Sequence, residues 1–292
     1  MILSSIPYVV SGDVFLLLSK WAKQKDFILP DATFFNVWRD EFKKFFNKMF
    51  VDFVFISEED LSEKINNLLK KISLPKVSLE EVYSKVDLFL STNRTVDAQG
   101  NDLMVVSRWG QKSINAQVES LRQLGFDEVV LIDDVIFSGE STGKIIQALL
   151  NVGIKVPLVV TGIGIADGIA KIKSCGSNVV CGFKFEEVID EVCERDFFPG
   201  IPLSGRTLVG RNGKNIGIPY ILPFGKIGKW ASIPIEWQKS FSEFCLQQTI
   251  QLFRAIEKAS NKQVYCCDLD RFVFSMPYDE SNFVSQLECI NI

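Results

Sequence analysis

The reading of this chain turns on Val129-Val130-Leu131-Ile132-Asp133-Asp134-Val135-Ile136-Phe137-Ser138-Gly139-Glu140-Ser141-Thr142. Four consecutive apolar residues, Val129 to Ile132, predict a buried strand of a parallel sheet. Asp133 and Asp134 stand where that strand is expected to end. Ser138 to Thr142 is a short hydroxyl-rich loop that runs into a helical pattern, Lys144 to Leu150. Such a loop suits a phosphate, because free backbone N–H groups and the helix dipole both point at it. Carboxylates just upstream suit ribose hydroxyls or a magnesium ion. The residue types point to a phosphorylated sugar or a nucleotide.

Outward from that stretch, strands and helices alternate. Leu103 to Val106 and Val156 to Gly164 read as strands, and so do Val51 to Ser57 and Val86 to Ser91. Ser57 followed by Glu58, Glu59 and Asp60 predicts a capped helix through Ile72, with acidic residues in its first turn. Ala166 to Lys173 is a further helix, and Thr92 to Asp102 is a polar loop. The alternation through residues 51–180 predicts a mostly parallel sheet flanked by helices, an α/β class. Ligands of such sheets bind beyond the carboxyl ends of the strands, where Asp133 to Thr142 lies. The expected organisation is an N-terminal helical segment, 1–50, an α/β core, 51–180, and a C-terminal hood and helical region, 181–292.

The N-terminal part contains two amphipathic helices, 12–23 and 33–50. In the second, Phe34, Trp38, Phe42, Phe45 and Met49 form one apolar stripe. Residues 197–235 differ in character: they hold 5 of the 10 prolines, 7 of the 19 glycines and no acidic residue. Arg206, Arg211, Lys214, Lys226 and Lys229 make the stretch cationic. It reads as a hood over a site, as a surface for an anionic protein or nucleic-acid partner, or as a loop-rich connection. Residues 236–259 form a long amphipathic helix.

The 292 residues, 47% of them apolar and 24 of them phenylalanine, are enough for a sizeable core. A net charge of −4 argues against the whole chain binding nucleic acid through bulk charge. The start lacks a basic leader, and no apolar run reaches the length of a membrane span, so a cytoplasmic protein with reduced thiols is expected. There is no histidine, which excludes a Ser-His-Asp triad, a Cys-His pair and histidine-based zinc sites.

The run VVLIDDVIFSGEST resembles the phosphoribosyl-diphosphate (PRPP) signature of the type I phosphoribosyltransferases. That resemblance implies a phosphoribosyltransferase-like sheet in which Asp133 and Asp134 hold the ribose hydroxyls and magnesium. Ser138, Gly139, Glu140, Ser141 and Thr142 would then hold the 5′-phosphate. Ser107-Arg108-Trp109-Gly110-Gln111-Lys112 is similar to the strand-ending Arg-Lys run of the orotate-type enzymes, which makes Arg108 and Lys112 candidates for contacting pyrophosphate. Thr92 to Asp102 falls where the family keeps its flexible catalytic loop. The implied reaction is attack of a nucleophilic nitrogen on ribose C1 with loss of pyrophosphate. One departure concerns the loop after the first strand. The family presents small, Gly-rich residues there, and this chain reads Ile56-Ser57-Glu58-Glu59-Asp60.

Phe197 to Gly210 (FFPGIPLSGRTLVG) and Tyr220 to Gly225 (YILPFG) resemble phosphoribosyltransferase-like proteins of bacterial conflict systems, some of which accompany retron reverse transcriptases in antiviral defence. Three functional expectations follow: a phosphoribosyl-transferring enzyme, a catalytically silent nucleotide-sensing module, and a toxin-like effector controlled by a partner docked on 197–235. An oligomer is compatible with each.

Overall fold

A computed structural model describes residues 6–80, 86–97, 99–209 and 215–292. Strand β1 (Tyr8–Ser11) leads into helices α1 (Val14–Lys25) and α2 (Ala32–Met49), then β2 (Phe53–Ile56), α3 (Glu58–Leu69) and β3 (Lys76–Ser78). Next come β4 (Leu88–Phe89), β5 (Asn93–Val96), β6 (Asp102–Val106), α4 (Ile114–Gln123) and β7 (Glu128–Ile136). They are followed by α5 (Glu140–Asn151), β8 (Lys155–Ile165), α6 (Ala166–Ser174), β9 (Asn178–Phe185) and β10 (Asp190–Cys193). The chain ends with β11 (Arg206–Leu208), β12 (Ile216–Ile218), α7 (Ile227–Trp230), α8 (Ile235–Ser260), β13 (Phe272–Val273) and α9 (Phe283–Glu288).

The chain divides into two compact units. The first comprises Met1–Ile56, Val96–Asn101 and Ile189–Ile292; the second comprises Ser57–Thr95 and Asp102–Val188. The expected boundary after residue 50 moves to Ile56 because β2 pairs in parallel with β1. The one after residue 180 moves to Val188 because β9 runs on to Phe185. The N- and C-terminal segments share one unit and one core.

In the second unit, the parallel sheet has the order β4-β3-β7-β8-β9. Side chains alternate between faces along a strand, and β7 shows the consequence. Val129 and Leu131 pack with Val118 and Leu121 of α4, Ile145, Ile146 and Leu149 of α5, and Ile172 of α6. Val130 and Ile132 pack with Ile65 and Leu69 of α3. Burial on both faces is what the unbroken apolar run demanded. The strand also continues through the two aspartates to Ile136 rather than stopping before them.

In the first unit, β10, β1 and β2 make a three-stranded parallel sheet. The buried face of α2 is Phe35, Trp38, Phe42 and Phe46, with Phe34, Phe45 and Met49 only partly covered. The stripe is therefore rotated from the expected one, since rings of α8 and of the Phe197-Phe198 pair meet this face. Phe42 lies 5.4 Å from Phe198 and 6.3 Å from Phe241, and Trp38 lies 4.5 Å from Phe198. Each fully buried phenylalanine contributes roughly 1.5–3 kcal/mol by leaving water. Two of the buried aromatics have their polar ends answered: Tyr8 donates to the Ala231 carbonyl at 2.6 Å and Trp38 Nε1 to that of Gln248 at 3.1 Å.

The carboxyl end of this smaller sheet carries buried charge. Asp13 follows β1 and pairs with Arg195, whose backbone N–H also donates to it at 3.1 Å. Glu194 follows β10 and accepts two bonds from Arg39, both at 3.2 Å. The Val14 N–H, at the first turn of α1, also points to Glu194 at 3.4 Å. Asp196 accepts from the Gly205 N–H at 2.8 Å.

Residues 197–235 are loop-rich, with β11, β12 and α7 as their regular parts. Arg206 is half-buried, its guanidinium 5.6 Å from the Tyr220 ring and 5.3 Å from Trp230. Lys226 and Lys229 are exposed, and Arg211 and Lys214 lie outside the described residues. Among the described residues, no helix is long and apolar enough to cross a membrane.

Candidate functional site

The candidate site lies within the second unit, at the carboxyl end of the central strand β7. Asp133 continues the face defined by Val129 and Leu131, which looks toward α5. Its Oδ2 accepts from the Thr142 hydroxyl at 2.8 Å and its Oδ1 from the Asp134 N–H at 3.1 Å. Asp134 turns its Oδ1 to the Val135 N–H at 2.7 Å, and its carbonyl accepts from the Thr161 hydroxyl of β8 at 3.2 Å. Both carboxylates are thus fixed by local bonds before any ligand arrives.

Asp133 is only 8% exposed. Burial pushes its carboxyl well above the ordinary 3.8, the charge of Asp134 adds to the shift, and the Thr142 hydroxyl opposes it. Glu80 also contributes to raising it. Among the described residues, no group of three or more acidic, cysteine or histidine side chains is assembled to hold a metal ion. Two adjacent carboxylates nevertheless match the hard-oxygen chemistry of magnesium, which takes one or two protein carboxylates and fills its other positions with water and phosphate oxygens.

The loop after β7 is built tightly. Gly139 caps α5 in the left-handed conformation, φ 71°, and a Cβ there would stand 2.7 Å from the Gly168 carbonyl oxygen. Gly168 is equally constrained, since its Cβ would fall 2.2 Å from the Phe137 oxygen. Two glycines thus let the loop and the start of α6 touch backbone to backbone. Ser138 and Glu140 are exposed and Ser141 half-buried, with the Glu140 N–H directed at the Ser138 hydroxyl at 3.4 Å. Glu140 opens the helix facing solvent, a favourable position for an acid beside the positive helix end. The Thr142 hydroxyl donates to Asp133, so its side chain braces the carboxylate.

Arg108 enters the same end of the unit from the loop after β6. Its terminal nitrogen donates to both oxygens of Glu80, at 3.1 and 3.2 Å, and its Nε donates to the Thr92 carbonyl at 3.1 Å. The Arg108 N–H also approaches the Ser91 hydroxyl at 3.3 Å. Lys112 parts from it: its side chain is exposed and its carbonyl accepts from Gln117 at 2.8 Å. Among the described residues, Lys112 has no part in the Arg108–Glu80 pair.

The acidic turn at Glu58–Asp60 takes a different place from the one expected. β2 belongs to the three-stranded sheet, so the strand beside β7 is β3, a three-residue element the sequence pattern did not reveal. Glu58, Glu59 and Asp60 form the first turn of α3, with the Ser57 hydroxyl accepting from the Asp60 N–H at 3.1 Å. The site residue that sequence reasoning missed is Glu80. It sits two positions past β3, in a segment with no periodic signal.

No family model and no curated protein matches the chain. Similar solved structures include UMP synthase from Leishmania donovani, 14% identical over 44% of this chain and 27% of that one, TM-score 0.28. The adenine phosphoribosyltransferase of Thermoanaerobacter pseudethanolicus aligns with 43% of this chain and 80% of its own at 14% identity, TM-score 0.28. The orotate phosphoribosyltransferase of Aeropyrum pernix aligns with 44% and 72% at 15% identity, TM-score 0.27. The chain thus spans about a quarter of the UMP synthase and more of the two shorter enzymes.

Proposed function

We propose that the second unit binds a phosphorylated ribose, PRPP or a ribonucleotide, together with magnesium, at the carboxyl end of β7. The observation that carries this reading is the Thr142–Asp133 hydrogen bond. It locks the acidic pair to the first turn of α5, so ribose-type and phosphate-type partners stand in fixed register. Ser138, Gly139, Glu140 and Ser141 offer the 5′-phosphate the loop's N–H groups and hydroxyls at the positive end of a helix of 12 residues. Asp133 and Asp134 accept from the ribose hydroxyls and would hold the magnesium, which when bound offsets the charge of the phosphates.

In the active form of this reading, the unit is a phosphoribosyltransferase that positions ribose C1 for attack by a nitrogen nucleophile. Catalysis there is mainly positioning and charge stabilisation, work that requires no histidine. A second reading, a silent nucleotide-sensing module, is favoured by one observation. Arg108, the cation that the resemblance assigns to pyrophosphate, is already engaged by Glu80.

Calorimetry with PRPP and magnesium tests the pocket, and an assay of pyrophosphate release against a panel of bases separates the two readings. Binding by the wild type that is lost in the Asp133→Asn, Asp134→Asn variant supports the pocket. Release of pyrophosphate supports the enzyme, and binding without release supports the sensor. A wild-type protein that binds neither PRPP nor any ribonucleotide refutes both.

A further inference from the structure

We propose that Glu80 is an internal stand-in for the ligand's anion, holding Arg108, and that a polyanionic phosphorylated ligand binds by taking Arg108 from it. The inference rests on the reading of this end of β7 as a phosphorylated-ribose pocket. Ser78 of β3 lies opposite Ile132 of β7, and the Leu79 N–H donates to the Ile132 carbonyl at 2.8 Å. Two residues further along parallel neighbours stand Glu80 on one chain segment and Asp134 on the other. Glu80 is therefore placed at the level of the acidic pair by sheet register.

The Glu80 backbone is fixed there by its own turn. Its N–H donates to the Ser78 hydroxyl at 3.2 Å, and that hydroxyl donates to its carbonyl at 2.7 Å. The side chain then meets Arg108, and both are largely withdrawn from water, 12% and 14% exposed respectively. A guanidinium that donates to a carboxylate presents the same fork that a phosphate would use, and charge-assisted bonds to either are of similar strength. Glu80 accordingly does two things to an incoming anion. It occupies the cation, and it adds a third negative charge beside Asp133 and Asp134.

An exchange of partners follows from that geometry. The ligand's phosphate accepts the Arg108 bonds, Arg108 keeps its Nε bond to the Thr92 carbonyl, and the freed Glu80 turns to solvent. Only a ligand with enough charge to outbid a carboxylate completes the exchange. A pyrophosphate-bearing ligand qualifies before a monophosphate does. Glu80 thereby sets the site's preference for polyanions.

The test is calorimetry on the full chain with inorganic pyrophosphate in magnesium buffer, comparing wild type, Glu80→Gln, Glu80→Gln with Arg108→Gln, and Asp133→Asn with Asp134→Asn. Glu80→Gln keeps the side chain's size and removes its charge, and is expected to lower Kd about tenfold, a gain that the added Arg108→Gln abolishes. Glu80→Asp, too short to reach Arg108 in the same way, serves as the second variant and is expected to show a smaller gain in the same direction. Equal or weaker binding by the Glu80 variants overturns the proposal, and so does the absence of measurable pyrophosphate binding in all five proteins. A Glu80→Gln gain alongside an Asp133→Asn, Asp134→Asn variant that binds PRPP as wild type does would keep the exchange and refute the ribose reading.

Discussion

The two units solve the same problem at the carboxyl ends of parallel strands, and they solve it in opposite ways. In the first unit the acids after β1 and β10 are answered by arginines: Asp13 by Arg195, Glu194 by Arg39. In the second unit Asp133 at the end of β7 is answered by a hydroxyl and an amide, and among the described residues it pairs with no cation. Burial raises both carboxyls, Asp13 up to about 8 against the downward pull of Arg195, and Asp133 well above its ordinary range with Asp134 pushing the same way. The difference separates structure from binding. Charges cancelled inside the chain hold elements together, whereas a buried carboxylate left short of positive charge is a candidate for binding.

The largest effect expected from breaking this comparison is in the first unit. Arg39→Ala removes the guanidinium paired with the buried Glu194 and is expected to cost about 3–5 kcal/mol in urea denaturation. Replacing Arg39 and Glu194 together by methionine recovers most of that loss. A cost below about 1 kcal/mol for Arg39→Ala would place this pair with ordinary surface ion pairs and remove the contrast.

Asp133→Asn acts in the other direction on stability. The raised carboxyl keeps its proton in the folded state to higher pH than in the unfolded chain, so wild type loses stability relative to the variant as pH climbs above 3.8. The variant is expected to be at least as stable as wild type at neutral pH while its affinity for PRPP with magnesium drops tenfold or more. Thermal melts from pH 4 to 8 check the sign. A variant that melts below wild type across the range would make Asp133 a structural residue like Asp13.

A smaller effect sharpens the role of the hydroxyl. Thr142→Val keeps the shape of a buried side chain and removes the donor, at an expected stability change of about 1 kcal/mol and a severalfold loss of ligand affinity. Thr142→Ser restores both. Affinity lost in Thr142→Val and unrestored by Thr142→Ser would show that the methyl group, not the bond to Asp133, matters.

The sequence by itself determined what is local. Four apolar residues in a row required a strand covered on both faces, and β7 has helices on both. Ser57 before three acids required a helix start, and its hydroxyl caps α3 as expected. The loop from Ser138 to Thr142 required a helix to follow, and Gly139 supplies the left-handed residue that starts it. Each of these signals spans fewer than about fifteen residues and rests on backbone geometry or the burial pattern of one element.

Only the tertiary structure decided partnership. β2 and β7 both read as strands, yet nothing in either run says that β2 pairs with β1 while β7 pairs with β3 and β8. β3 is three residues long, too short for periodicity to show, and it is what brings Glu80 to the acidic pair. Arg108 meets Glu80 across 28 residues of chain and Arg195 meets Asp13 across 182. Such pairings are set by which surfaces cover one another, and that choice belongs to the whole chain. The sequence marked Asp133 and Asp134 as the pair to watch. The tertiary structure revealed that Thr142 braces one of them and that Glu80 holds Arg108.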